Sequence, residues 1–165
     1  MTPRTLAPRL VAAHDGPTYR VARDLVTFKA TGEDTGDAYA LFESRTPPGM
    51  GMPPHRQRYE DEALYVLESA YTLRIGDRRQ RLQPDDYAFM PRGTVHAFTN
   101  TGSSPARMLI MLSPGGIHEQ FFAEAGELIA DPATSLTPAA VPDMQRLIEI
   151  AAKYAIEILS LPQDS

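Results

Sequence analysis

The 165-residue chain has no cysteine, so a disulfide, a thiolate metal ligand and a cysteine nucleophile are all excluded. No stretch approaches the roughly 20 consecutive apolar residues that a membrane helix needs. The opening residues, MTPRTLAPRLVAAHDGP, carry arginines but no apolar run of signal-peptide length. A basic stripe is missing as well: the net charge is −5, and Arg74, Arg78, Arg79 and Arg81 lie beside acids in a strand-like segment. Nucleic acid is therefore not an expected partner, and the expectation is a soluble, cytoplasmic protein. What is present is one domain's worth of chain, with 42% hydrophobic residues to build a core and 22% charged residues to solvate it. The 15 prolines punctuate short segments, which favours a β-rich fold over a helical bundle.

Residues 1–17, rich in Pro, Ala and Arg, read as a flexible N-terminal arm. From Asp24 the pattern turns to short strands: LVTFKATG, then a loop at EDTGD, then AYALFESR, then the turn-rich Pro47–Gly51. ALYVLES, YTLRIGD, RRQRLQ, YAFMP, HAFTN and ARMLIMLS follow at the spacing of a sandwich or barrel, with Gly76-Asp77 as a hairpin turn. Closure of such a meander removes exposed strand edges, so a barrel over residues 18–114 is expected. Residues 115–165 read as a helical extension: a short helix in HEQFFAEAGELIA, then a longer one in DMQRLIEIAAKYAIEIL, with Leu147, Ile148, Ala151, Tyr154, Ala155 and Ile158 on one face. That second helix is expected to pack on the barrel or on a second subunit.

Histidine and carboxylate are the side chains that bind divalent first-row metals without thiolate. They cluster twice. In PPHRQRYEDEALYVLES, His55 and Gln57 are two residues apart and so share one side of an extended segment, and Glu62 shares a face with Leu64 and Val66. A carboxylate directed into a barrel is costly unless compensated, and a metal would compensate it. In PRGTVHAFTN, a Pro-x-Gly turn leads into a strand with His96, Phe98 and Asn100 on one face. If the strands are adjacent, two imidazoles and one carboxylate meet, the set used by non-haem Fe(II) oxygenases. Taken singly, each of these residues has an ordinary structural explanation. His14 and His118 have no acidic or imidazole partner at ligand spacing and are read as structural or surface residues. Strand phase makes Leu64, Val66, Phe89 and Phe98 the expected apolar lining of a small-molecule pocket, with Tyr87 a weaker candidate.

The two clusters together resemble the paired motifs of the cupins. Gly49, His55 and Glu62 match the first motif, and Pro91, Gly93, His96 and Asn100 match the second, across roughly residues 24 to 114. The sequence departs in three places: Gln57 stands at the second histidine of the first motif, Ser69 at its closing glycine, and Asp85 at the opening glycine of the second. The resemblance implies an all-β, double-stranded β-helix barrel with C-terminal helices. It also implies a divalent transition metal (Fe, Ni, Mn or Zn) held by His55, Glu62 and His96, with Gln57 as a fourth ligand or a hydrogen-bonding neighbour. SPGGIHEQFF and KYAIEIL are similar to the tails of bacterial single-domain cupins described as quercetin-dioxygenase-like. That likeness implies oxidoreductase chemistry on a small aromatic or polyketide-type molecule, Glu62 as ligand and proton acceptor, and a homodimer; the amphipathic C-terminal helix and the edge strands expected near residues 24–46 are the surfaces read for its pairing. A metal-free ligand-binding barrel, or an isomerase or cyclase, remains open on the same residues.

Overall fold

The computed structural model describes residues 5–13, 15–131, 136 and 141–159, so His14 lies outside the described residues. The chain forms β1 (Thr18–Val21), β2 (Asp24–Ala30), a single turn of helix α1 (Gly32–Thr35), β3 (Ala40–Thr46), β4 (Gly51–Gln57), β5 (Asp61–Glu68), β6 (Tyr71–Ile75), β7 (Arg78–Leu82), β8 (Tyr87–Met90), β9 (His96–Asn100) and β10 (Ala106–Ser113). It continues through α2 (Ile117–Ala125), β11 (Glu127–Ile129), α3 (Met144–Lys153) and β12 (Ile156–Ile158). All strand pairs are antiparallel. One sheet has the order β11-β1-β2-β3-β10-β5-β8, and the other β12-β4-β9-β6-β7. The two sheets enclose one core, in the arrangement of a double-stranded β-helix.

The inward residues follow the two-residue period. In β10 Ala106, Met108, Ile110 and Leu112 are buried, and in β3 Ala40, Phe42, Ser44 and Thr46 are. Phe28 of β2, Phe42 of β3 and Phe122 of α2 form a ring cluster with centroids 5.2–5.9 Å apart, which fastens α2 over the barrel. On β4 and β9, Gly51 passes Phe98 so closely that a Cβ at position 51 would lie 2.0 Å from the Phe98 carbonyl oxygen. Only glycine permits that approach.

Four local expectations are corrected. Strand structure begins at Thr18, not Asp24, because β1 folds back on β2. EDTGD carries α1, whose N-cap Thr31 accepts from Asp34 N while Asp34 accepts from the Thr31 backbone. The first C-terminal helix stops at Ala125, and Glu127–Ile129 pairs with β1 as a strand. The second stops at Lys153: Ala155 adopts a left-handed conformation (φ 56°), and the chain then pairs with β4 as β12, Ile156 opposite Gln57 and Ile158 opposite His55. Tyr154, Ala155 and Ile158 are thus not on the buried helical face, which consists of Leu147, Ile150 and Ala151. The arm is tied at its inner end, where the Lys29 ammonium donates to the carbonyls of Ala12, Ala13 and Asp15 at 2.7–3.2 Å. No helix among the described residues is long and apolar enough to cross a membrane.

Candidate metal centre

The register brings the two histidine segments into contact. β4 and β9 pair with His55 directly opposite His96, and their ring centroids are 4.3 Å apart. Glu62 enters from β5 in the facing sheet, with its Oε2 3.0 Å from His96 Nε2 and 3.9 Å from His55 Nε2. All three side chains are buried, and one donor atom from each lies within 4.8 Å of the others. They are the group of three or more metal-ligating side chains found among the described residues.

Each imidazole is aimed by the backbone. His55 Nδ1 lies 2.9 Å from the Pro53 carbonyl oxygen and His96 Nδ1 3.0 Å from that of Thr94. An Nδ1–H donated to each carbonyl fixes the tautomer and turns the Nε2 lone pair to the cluster, the support that metal-binding histidines use. The turn before β9 is held in turn by the site strand: Gly93 (φ 82°) donates its N–H to the Gln57 carbonyl at 2.7 Å. Asn100 lies away from the donors and acts as a clamp, donating to the carbonyls of Thr46 and Ser104 at 2.9 Å and accepting from Gly102 N.

Without a metal the cluster is an anion held between imidazoles. Burial alone would raise the Glu62 carboxyl, but the His96 hydrogen bond and the two imidazoles outweigh it and pull it down to about 2. Burial lowers His55 to about 4, against the attraction of Glu62. Burial also acts to lower His96, but its hydrogen bond to Glu62 prevails and its pKa is raised. Gln57 is buried beside them, its side-chain amide donating to the same Glu62 Oε2 that faces both histidines. The donor set fits a divalent transition metal: two directed neutral nitrogens, one carboxylate, and a neutral amide within reach.

The centre opens on a cavity between the sheets. Phe42, Phe98, Ile110 and Leu112 line it from the strands, and Phe121 and Leu147 from α2 and α3. Its free space is about 70 Å³, less than the ~150 Å³ that admits a benzene ring. Of the expected lining residues, Phe98 faces this cavity. Leu64 and Val66 are buried in the core beside it. Phe89 does not line it: it is 51% exposed, and with Tyr87 (61%) it lies on the outer face of β8. The physical reason is register. Met90, not Phe89, pairs with Glu62 and takes the inward position.

A second buried pair was not legible in the sequence. His118, read as a structural or surface residue, lies in the first turn of α2 with its Nδ1 2.6 Å from Glu60 Oε2, and its backbone N–H donates to Glu60 Oε1. Both side chains are buried, and His118 lines the cavity close enough for its charge to act on His55 and Glu62. The partners are 58 residues apart in the chain, so no local spacing could have signalled them.

Residues 42–112 match the family described as the cupin domain. The tetracenomycin polyketide synthase protein TcmJ of Streptomyces glaucescens is 28% identical over 111 residues, covering 66% of this chain and 72% of that protein. Quercetin 2,3-dioxygenase of Bacillus subtilis is 29% identical over 96 residues, which cover 58% of this chain and 28% of that enzyme. The solved structure of the polyketide cyclase RemF from Streptomyces resistomycificus superposes with a TM-score of 0.56 at 25% identity, covering 64% of this chain and 79% of that one. The matched residues 42–112 hold β4 from Gly51, β5 and β9, and with them His55, Gln57, Glu62 and His96.

Proposed function

We propose that this chain is a metal-dependent enzyme of dioxygenase type, acting on a small oxygen-rich molecule of aromatic or polyketide type. The observation that supports this reading is the buried trio of His55, Glu62 and His96, with both imidazoles oriented by backbone carbonyls. A divalent metal held there (Fe, Ni, Mn or Zn) would supply a Lewis acid with open positions for an oxygen-rich ligand. Gln57 stands as fourth donor or hydrogen-bonding neighbour. Glu62 has two proposed roles, ligand and proton acceptor for a ligand hydroxyl. The second becomes available once the His96 hydrogen bond that holds its carboxyl down is exchanged for another partner.

Elemental analysis of tag-free protein purified without chelator tests the first half of the proposal. Near-stoichiometric metal is expected, and it is lost in His96→Ala. A native site that is empty and cannot be refilled would overturn it. Oxygen uptake by the metal-loaded chain with flavonols, catechols and polyketide-type diketones tests the second half.

The hydrogen bond from Gln57 to Glu62 favours a second reading, because it satisfies without metal an oxygen that a cation would otherwise occupy. On that reading the barrel binds its ligand directly, or isomerises or cyclises it without oxygen. Turnover under nitrogen identifies an isomerase or cyclase. Equal thermal stabilisation of metal-free and metal-loaded protein by one ligand identifies a binder.

A homodimer is also proposed, though not through residues 24–46, since β2 and β3 lie inside their sheet and offer no edge. Exposed apolar side chains that could pair include the outer strip of Tyr65, Tyr87, Phe89 and Met111, and Met144 and Ile148 on the C-terminal helix α3. Light scattering at micromolar concentration is expected to give twice the chain mass, and a monomeric mass would contradict it.

A further inference from the structure

The cavity has a polar group at its other end that the metal centre does not use. Asp24, at the start of β2, lines it together with Ser44 of β3. Its Oδ2 accepts from Ser44 Oγ at 3.1 Å and from Thr46 Oγ1 at 3.0 Å, and the Tyr71 hydroxyl donates to Thr46 Oγ1 at 3.1 Å. A relay of three hydroxyls therefore fixes one carboxyl oxygen. The other, Oδ1, has no hydrogen-bond partner among the described residues, and Asp24 as a whole is half-buried. A half-buried carboxyl that lines the cavity, with one oxygen immobilised and the other unpartnered, is arranged to receive a ligand. Burial pushes this carboxyl up to about 7, against the pull of Thr46 and Ser44, so near neutrality it presents a mixture of donor and acceptor forms.

The ladder places this group far from the metal-ligating trio. Along β10, Leu112 is opposite Glu62 and Met108 is opposite Ser44, a separation of four residues, or about 13 Å along a strand. On the facing sheet the cavity likewise runs from His55 back to Gly51. Free space of about 70 Å³ drawn out over such a path is a narrow bore. Either kind of ligand must push α2 and α3 outward to enter so small a space, and an extended chain displaces them less than fused rings do.

We propose that Asp24 is a second recognition point, and that the ligand is a narrow, chain-like molecule with an oxygen function at each end, one held at His55, Glu62 and His96 and the other a hydroxyl on Asp24 Oδ1. The far-end assignment rests on the metal-centre reading for its near end.

The test uses zinc-loaded full-length chain and three alkyl hydroxamates, whose chelating head anchors at a divalent metal: octanohydroxamic acid, its 8-hydroxy derivative and its 8-methoxy derivative. Affinities are measured by calorimetry. The 8-hydroxy compound is expected to bind about tenfold more tightly than the other two, the effect of one hydrogen bond to a charged or strongly polar group. Asp24→Leu is expected to erase the preference among the three. Equal affinity for all three in the unsubstituted chain overturns the inference and leaves the metal centre standing. A preference that survives Asp24→Leu overturns it as well. Failure of every hydroxamate to bind overturns the metal reading, and the inference with it. The comparison of hydroxy and methoxy probes needs no variant, so the test holds even if Asp24→Leu does not fold.

Discussion

At position 57 a neutral amide stands where a third imidazole would complete the donor set, and its amide group is already engaged with Glu62. Replacing it with histidine exchanges a weak oxygen donor for a strong nitrogen one and frees the carboxylate oxygen. Gln57→His is therefore expected to raise affinity for Zn(II) or Ni(II) by at least about tenfold, measured by competition with a chromogenic chelator. Unchanged affinity would mean that the side chain at 57 points away from the bound ion. Two other departures from the motifs have a clearer structural outcome. Ser69 (φ 63°) and Asp85 (φ 73°) keep the left-handed backbone that glycine would take. Asp85 is assisted by a hydrogen bond from the Tyr65 hydroxyl, whereas Ser69 Oγ fills the space a Cβ at position 102 would need, 2.1 Å from it. Ser69→Gly is expected to stabilise the chain by about 0.5–1 kcal/mol, the relief of left-handed strain less the entropy of glycine. Urea unfolding measures this, and a loss of stability would show that the serine side chain contributes an interaction. The identities of His55, Glu62 and His96 as a group were legible because motif spacing survives in sequence. The inward or outward choice at Phe89 was not, because one step of register in a two-residue period reverses it.

The strands were legible from alternation, and the C-terminal elements were not, because tertiary pairing overrides local pattern there. KYAIEIL continues a helical period in sequence, yet Ile156 and Ile158 gain more by closing the edge of β4, whose backbone groups behind His55 and Gln57 would otherwise lack partners. The β12 strand thus backs the site, and α3 delivers Leu147 to the cavity. Helix α2 is anchored differently. Its first turn is held by Glu60, which receives both the backbone N–H and the ring nitrogen of His118, and the ring packs edge-on against Phe121 and Phe122 at 5.4–5.8 Å. His118→Ala leaves the Glu60 carboxylate buried without its imidazole and opens a gap beside two aromatic rings. A loss of about 3 kcal/mol is expected, seen as a lower urea midpoint at unchanged slope. A loss below about 1 kcal/mol, within the range of ordinary surface substitutions, would mean that the helix is held by the ring cluster of Phe28, Phe42 and Phe122 alone.

Both ends of the cavity leave a signature in the stability of the metal-free chain, and the two have opposite sign. Glu62 is held at about 2 in the folded chain against an ordinary 4.5, so its contribution is complete above pH 4.5 and is lost as the pH falls towards 2. Asp24 is held at about 7 against an ordinary 3.8. Between those values the folded chain keeps a proton that the unfolded chain has released, so stability contributed by Asp24 declines as the pH rises from about 4 to about 7 and is flat beyond. Asp24→Asn removes that titration while preserving an oxygen for Ser44 and Thr46. Melting temperatures of chelator-treated wild type and Asp24→Asn, taken from pH 4 to 8, are therefore expected to diverge, the wild type losing ground to the variant as the pH rises and the gap levelling off above about 7. Differencing the two chains cancels the other carboxylates, all of which they share. A gap independent of pH would mean that Asp24 titrates in the folded chain as it does in water, and its carboxyl would then be too well solvated to act as an oriented oxygen of the cavity.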